Sequence, residues 1–381
     1  MTVRSLLQFV LVAGMTLGAI AVVRSTEPGR LVYIGTYTGD NSQGIYAFRF
    51  DEESGALKML GLAAATKSPS FLAISPNRKF LYAVNETSSF EGEKAGSVTA
   101  FSIHAPSGKL TALNAKSSKG DGPCHLAVDA TGRFVAVANY GGGNFSLLPV
   151  GADGRLGDSI AILANGGSGP NKKRQEGPHA HAVVFDARNR FLLGADLGLD
   201  RVFIYKFDPS TGSLGANDPS SVQLAPGAGP RHVAFHPRLP LAFAINELTS
   251  TITSLSWDAA TGRLAAAGSV SSLPAGYAGD NSTAEIAVHP NGRFVYGSNR
   301  GHDSIAVFAI APTGTLTLVE HESARGQTPR NFAIDPSGKW LIAANQKSNT
   351  LAVFSIDQET GTLTPVGPLA QVGTPVCVLF L

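Results

Sequence analysis

The chain has 381 residues, with 43 Gly, 22 Pro, 3 Met and a charged fraction of 15%, against about 25% in ordinary soluble domains. That composition favours an all-β architecture, and the length is too great for one small helical core. A net charge of +2 without any lysine or arginine stripe argues against nucleic acid as a partner.

At the amino terminus, Arg4 precedes an uncharged apolar run over residues 5–23 that closes at Arg24. The positive flank, the apolar stretch and the triplet Ala19-Ile20-Ala21 have the form of a signal peptide. Residues 1–24 are therefore read as an export segment. It is either cleaved or kept as a membrane anchor, because the run approaches bilayer-spanning length. The expected location is periplasmic or secreted, with membrane contact only through that anchor. Cys124 and Cys377 are the two cysteines. They could form one disulfide in an oxidising compartment, although two buried thiols are the commoner arrangement.

From residue 30 onward the chain repeats itself. One unit is an alternating apolar strand, a tight turn, and a second apolar strand ending in Asn plus one variable residue. It opens at Pro69-Ser70-Phe71 and closes at Asn85-Glu86, then returns at 123–140, 180–197, 230–247, 283–300 and 329–346. A seventh copy, beginning Pro375-Val376-Cys377, holds the first strand alone. Between these units sit Gly-x-Leu hairpins led by Gly55, Gly108, Gly154, Gly212, Gly262, Gly314 and Gly361, at spacings of about 46 to 58 residues. Four strands in about 50 residues make one propeller blade. Residues 31–37, 44–50 and the strand after Gly55 lack an inner partner, which residues 376–380 would supply. The prediction is an all-β, seven-bladed propeller of four-stranded blades over residues 30–381. Its ring is closed by the amino-terminal strands pairing with the carboxy-terminal one, which hides an aggregation-prone edge.

The repeat register also locates a candidate site. The start of each inner strand and the end of the next strand share one rim of the channel. The first column reads Ser70, Cys124, His181, Arg231, Ala284, Arg330 and Val376, with neighbours Phe71, His125, Ala182, His232, Glu285, Asn331 and Cys377. The second reads Glu86, Tyr140, Leu197, Glu247, Arg300 and Gln346. A bare structural repeat needs only small or apolar residues there, yet blades three to six carry His181, Arg231, Glu247, Glu285, Arg300 and Arg330. Arginines beside carboxylates and a histidine can bind an anion and move a proton. Salt bridges tying blades together are the alternative use of the same charges.

Other polar residues read as structural. Asn85, Asn139, Asn246, Asn299 and Asn345 recur too regularly for chemistry, and Asp51, Asp129, Asp186, Asp208 and Asp335 fall near turns they would brace. His236 and His289 belong to turns at the opposite rim. Lys172-Lys173-Arg174 lies in a Gly-rich loop before blade three, where solvated charge is the expected role of the lysines. No paired-Cys motif, helical His-x-x-x-His or Asp-rich loop is present. No metal or cofactor is therefore expected.

Gly177-Pro178-His179-Ala180-His181, the run from Asp196 to Arg201, Gly229-Pro230-Arg231-His232 and Asn246-Glu247-Leu248 resemble the lactonase family of seven-bladed propellers. Gly35-Thr36-Tyr37-Thr38, Arg174-Gln175 and the run from Ser298 to Ile305 are similar to further signatures of that family, which includes propeller-type 6-phosphogluconolactonases and carboxy-cis,cis-muconate lactonizing enzymes. The resemblance implies catalytic residues at His181, Arg231, Glu247 and Arg300, with His179 a nearby substitute for His181. His232, Glu285, Arg330 and Gln346 join His179 as candidate substrate-binding residues. The implied activity is hydrolysis of a sugar-type lactone bearing an anionic group, a small anionic lactone or sugar acid being the partner. A muconate cycloisomerase and a non-enzymatic exported binding propeller are the alternatives. Because 6-phosphogluconolactone is a cytosolic metabolite, export sets the chemistry apart from that particular substrate.

Overall fold

A computed structural model describes residues 29–381. The apolar segment before them, and with it the export expectation, lies outside the described residues. Twenty-eight strands form seven four-stranded antiparallel sheets. Blades one to six span residues 72–117, 123–164, 180–223, 230–271, 282–323 and 329–371. Blade seven is the split one. Its inner strand, Pro375–Phe380, pairs with Arg30–Thr36, which leads on to Gly44–Phe50 and Leu57–Ala65. The predicted closure is present, and the inner strands stand side by side around the ring's axis.

Second strands such as Phe134–Asn139, Phe191–Asp196 and Trp340–Asn345 are buried at every position. Their unbroken apolar runs suit strands covered on both faces by neighbouring blades. Outer strands such as Arg263–Ser271 are mostly exposed and read as mixed polar sequence. Seven apolar clusters fill the seams between adjacent blades. The Gly-x-Leu hairpins complete each seam. All seven lead glycines have φ between 70° and 86°, a region that L residues with a Cβ avoid. A Cβ there would strike Trp340, Leu31, Phe80, Phe134, Phe191, Leu241 or Phe294 of the preceding blade. Glycine thus serves both the turn and the packing of one blade against the next.

The recurring asparagines are structural, as read from the sequence. Asn139, Asn299 and Asn345 donate through Nδ2 to the carbonyls of Ser118, Ser272 and Ala324, each just past the preceding blade's last strand. His236 and His289 bridge turns of adjacent blades through the carbonyls of Gly292 and Gly338. Both cysteines are free and buried.

Candidate active site

The polar residues reach the axis because the inner strands of blades two to six start with a register slip. Slips fall between Pro123 and His125, Ala180 and Ala182, Pro230 and His232, Thr283 and Ile286, and Pro329 and Asn331. The skipped residues include Cys124, His181, Arg231, Glu285 and Arg330. A bulged residue leaves the ladder and its side chain is re-aimed, so consecutive residues such as Arg231 and His232 serve one site. Opposite each slip a main-chain bond pins the second column. Glu247 N donates to Gly229 O at 2.8 Å, and Tyr140 N to Gly122 O at 2.9 Å.

Glu247 is the centre of the cluster. Its Oε2 lies 2.9 Å from Arg300 Nη2, 3.2 Å from Arg231 Nε and 3.9 Å from His181 Nε2, while Oε1 accepts from Arg174 Nη2 at 2.6 Å. Burial pushes the carboxyl up, but Arg300, Arg231 and Arg174 outweigh it and hold it at about 2. Arg231 Nη1 donates to Ala284 O at 2.8 Å, and Arg300 Nη2 to Thr283 O at 2.7 Å. The Arg231 Nη2 and Arg300 Nη1 groups make no hydrogen bond to the described residues. Burial lowers the Arg300 guanidinium to about 10, so it stays charged at neutral pH.

His181 is held in place by rings. Its imidazole meets Tyr140 edge-on at 5.5 Å and His232 at 5.4 Å, with Nδ1 3.7 Å from Cys124 Sγ. Burial first, then Arg231, His232 and Arg330, lower its pKa well below the usual histidine value. The imidazole is therefore neutral, and its Nε2 has no hydrogen-bond partner among the described residues. His179 is differently occupied. It stacks on Tyr140 at 4.5 Å, directs Nδ1 to Tyr140 O and places Nε2 3.1 Å from Glu176.

Below this level lies a second pair. His232 Nδ1 is 3.0 Å from Glu285 Oε1, and Asn331 Nδ2 donates to Glu285 Oε2. Arg330 donates to Tyr37 Oη at 2.9 Å and covers its ring, and that hydroxyl donates to Glu86. Gln346 stands at the rim through a main-chain bond to Thr328, and its side chain bonds to none of the cluster. The structure thus gathers His181, Arg231, Glu247 and Arg300, sets His179 beside them and His232, Glu285 and Arg330 around them, and leaves Gln346 apart.

Arg174 joins the cluster from the loop before blade three, where solvated charge is the expected role of the lysines alone. Lys172 and Lys173 are indeed exposed. The neighbouring Gln175 is fully buried, and its Nε2 donates to Leu197 O and Asp200 Oδ1 at 2.8 and 2.6 Å. Asp200 in turn accepts from the main chain of Gly227 and Gly229, next to the strand bearing Arg231. Gly198 admits this path, since a Cβ there would fall 1.9 Å from Gly177 O. Tyr37, Glu86 and Tyr140 were also left out of the predicted site, although the latter two stand in the second column with Glu247.

Four guanidiniums, of Arg174, Arg231, Arg300 and Arg330, meet three carboxylates, of Glu86, Glu247 and Glu285. The positive excess suits an anionic ligand. Fold and site together define a seven-bladed β-propeller with a cluster of charged residues gathered where its inner strands begin. The chain belongs to the lactonase family of seven-bladed β-propellers, whose model matches residues 31–380. It is 38% identical to a 6-phosphogluconolactonase of Bacillus subtilis over 92% of this chain and 97% of that one. It is 34% identical to a 6-phosphogluconolactonase of Pectobacterium carotovorum over 92% of this chain and 98% of the other. The solved periplasmic gluconolactonase of Pseudomonas aeruginosa superposes with a TM-score of 0.86 at 32% identity, covering 92% of this chain and 99% of that one.

Proposed function

We propose that this propeller hydrolyses a sugar-type lactone bearing a carboxylate or phosphate, in the manner its relatives' names describe. The observation that carries this is a neutral, unbonded His181 Nε2 lying 3.9 Å from a carboxylate clamped by three arginines. A carboxylate held at about 2 with both oxygens engaged by arginines has little basicity left for water, whereas the His181 Nε2 is unengaged among the described residues. Glu247 therefore orients the water and the arginines, and His181 takes the proton. Water oxygen adds to the lactone carbonyl carbon, and the oxyanion is met by the unbonded donors of Arg231 and Arg300. The carbon–ring-oxygen bond then breaks, and the imidazolium returns its proton to the departing ring oxygen. The product is the open-chain hydroxy acid, which ionises at neutral pH.

The test is ring opening of gluconolactone, 6-phosphogluconolactone and a carboxylated aldarolactone. Rates in Arg231→Ala and Glu247→Ala that match the unaltered protein would remove the assignment. Loss of muconate absorbance without lactone turnover would replace it with the cycloisomerase, and ligand binding without any turnover with a binding propeller.

The export reading belongs to the same proposal. It is supported by the apolar run behind Arg4 and by a relative described as periplasmic. The mass of the mature protein distinguishes cleavage after this segment from retention.

A further inference from the structure

The three arginines around Glu247 differ in how they are carried. Arg231 and Arg300 stand on blade strands, with side chains 4% and 12% exposed, whereas Arg174 is 40% exposed and comes from a loop. Its Nη2 makes both contacts, to Glu247 Oε1 at 2.6 Å and Tyr140 Oη at 3.2 Å, linking blades four and two across blade three. Nη1 and Nε have no partner among the described residues. The loop is anchored, not loose, because Gln175 is fully buried and tied to Leu197 and Asp200. The exposures order the guanidiniums along the entry direction, with Arg231 deepest, Arg300 next and Arg174 outermost.

We propose that Arg174 is a specificity residue whose free guanidinium edge receives an anionic substituent remote from the lactone carbonyl, selecting phosphorylated or carboxylated lactones over neutral ones. This rests on the lactonase reading for the placement of the carbonyl at Arg231 and Arg300. With that end of the substrate deep in the site, a remote substituent is carried outward, toward the loop. A planar donor edge on a pre-positioned loop suits a carboxylate or phosphate. Exposed Lys172 and Lys173 on the same loop add positive potential at the entry.

The experiment compares kcat/KM for 6-phosphogluconolactone and gluconolactone in the full-length protein, Arg174→Ala and Arg174→Lys. The ratio of the two should fall about tenfold or more in Arg174→Ala, the size of a lost charge-assisted hydrogen bond, and be partly restored by lysine. A ratio within about twofold of the parent, whatever the absolute loss, would overturn the proposal, since a merely structural defect slows both substrates alike. Calorimetric binding of 6-phosphogluconate against gluconate reads the same selectivity without turnover. Arg174-dependent binding selectivity with no lactone opened would keep the anion site and sink the lactonase reading. Turnover with unchanged selectivity would do the reverse.

Discussion

Arg231 Nη1 lies 3.0 Å from His232 Nε2, and because a guanidinium can only donate, this contact fixes the imidazole's tautomer. The ring proton sits on Nδ1 and points to Glu285 Oε1. Beyond Glu285 the chain continues through Asn331, whose Oδ1 accepts from Val378 N at 2.7 Å on the closing strand. Four successive blades are thus joined by one buried line of hydrogen bonds that ends on Arg231. Both ring nitrogens of His232 are engaged with protein groups, so its effect on a substrate passes through Arg231.

That line predicts a pH effect. Burial raises the Glu285 carboxyl to about 7, against the opposing pull of Arg231 and Ile286 N. The ionised form is the stronger acceptor for the His232 Nδ1 proton and completes the line to Arg231; the protonated form weakens that bond. The kcat/KM for lactone opening should rise through about pH 7, and the Glu285→Gln profile should be flat there. Stability runs the other way. Between the ordinary carboxyl value and about 7 the folded state keeps a proton the unfolded state has lost, so stability falls as pH rises. Urea denaturation across this window should show that slope in the parent and lose it in Glu285→Gln.

The two histidines of the His179-Ala180-His181 motif should separate cleanly. His181 presents a free, neutral Nε2, whereas His179 is committed to Tyr140 and Glu176. His181→Ala should lower kcat by about 10² to 10⁴, the usual worth of a general base, and His179→Ala by less than about tenfold. Equal losses in the two variants would contradict the assignment of the base.

The fold was legible because seven repeats of turn and strand carry their own register, and the residues breaking the repeat are those that the structure brings together around Glu247. His181, Arg231, Glu247 and Arg300 were readable for that reason. The slip at the inner strands of blades two to six was not, since Pro230-Arg231-His232 looks like ordinary alternation until paired with residues 241–246. Arg174 escaped because loops carry no register; what places it is Gln175, whose burial depends on the distant Asp200. The hairpin glycines were read as turns, and their second role against the preceding blade needed the ring to be closed.

Glu247→Ala should destabilise the protein as well as inactivate it. The change leaves Arg231 and Arg300 buried beside each other without their shared carboxylate, and breaking a buried ion pair in this way costs about 3–5 kcal/mol. The acid limb supplies a second readout. A carboxyl held at about 2 contributes stability that is complete above the ordinary carboxyl range and is lost as pH falls through it toward 2. Denaturation midpoints at pH 7 and pH 3 should converge between parent and variant at the lower pH. A constant gap would mean that the loss does not come from the charge of the Glu247 carboxylate.

The interblade glycines give a test of the ring itself. Gly262 has φ 70°, and a Cβ there would lie 2.3 Å from the Phe191 ring of the preceding blade. An alanine must adopt a left-handed conformation at about 1–2 kcal/mol and displace a packed aromatic at about 1–3 kcal/mol. Gly262→Ala should therefore lose about 2–5 kcal/mol in urea denaturation. Gly215→Ala, on an outer strand with nothing within 4 Å of the added carbon, should stay within about 0.5 kcal/mol of the parent. The same contact recurs at Gly55, Gly108, Gly154, Gly212, Gly314 and Gly361, so Gly361→Ala against Phe294 should repeat the Gly262 result. If both seam variants matched Gly215→Ala, the hairpins would be turns and nothing more, and the seams would be held by the apolar strand clusters alone.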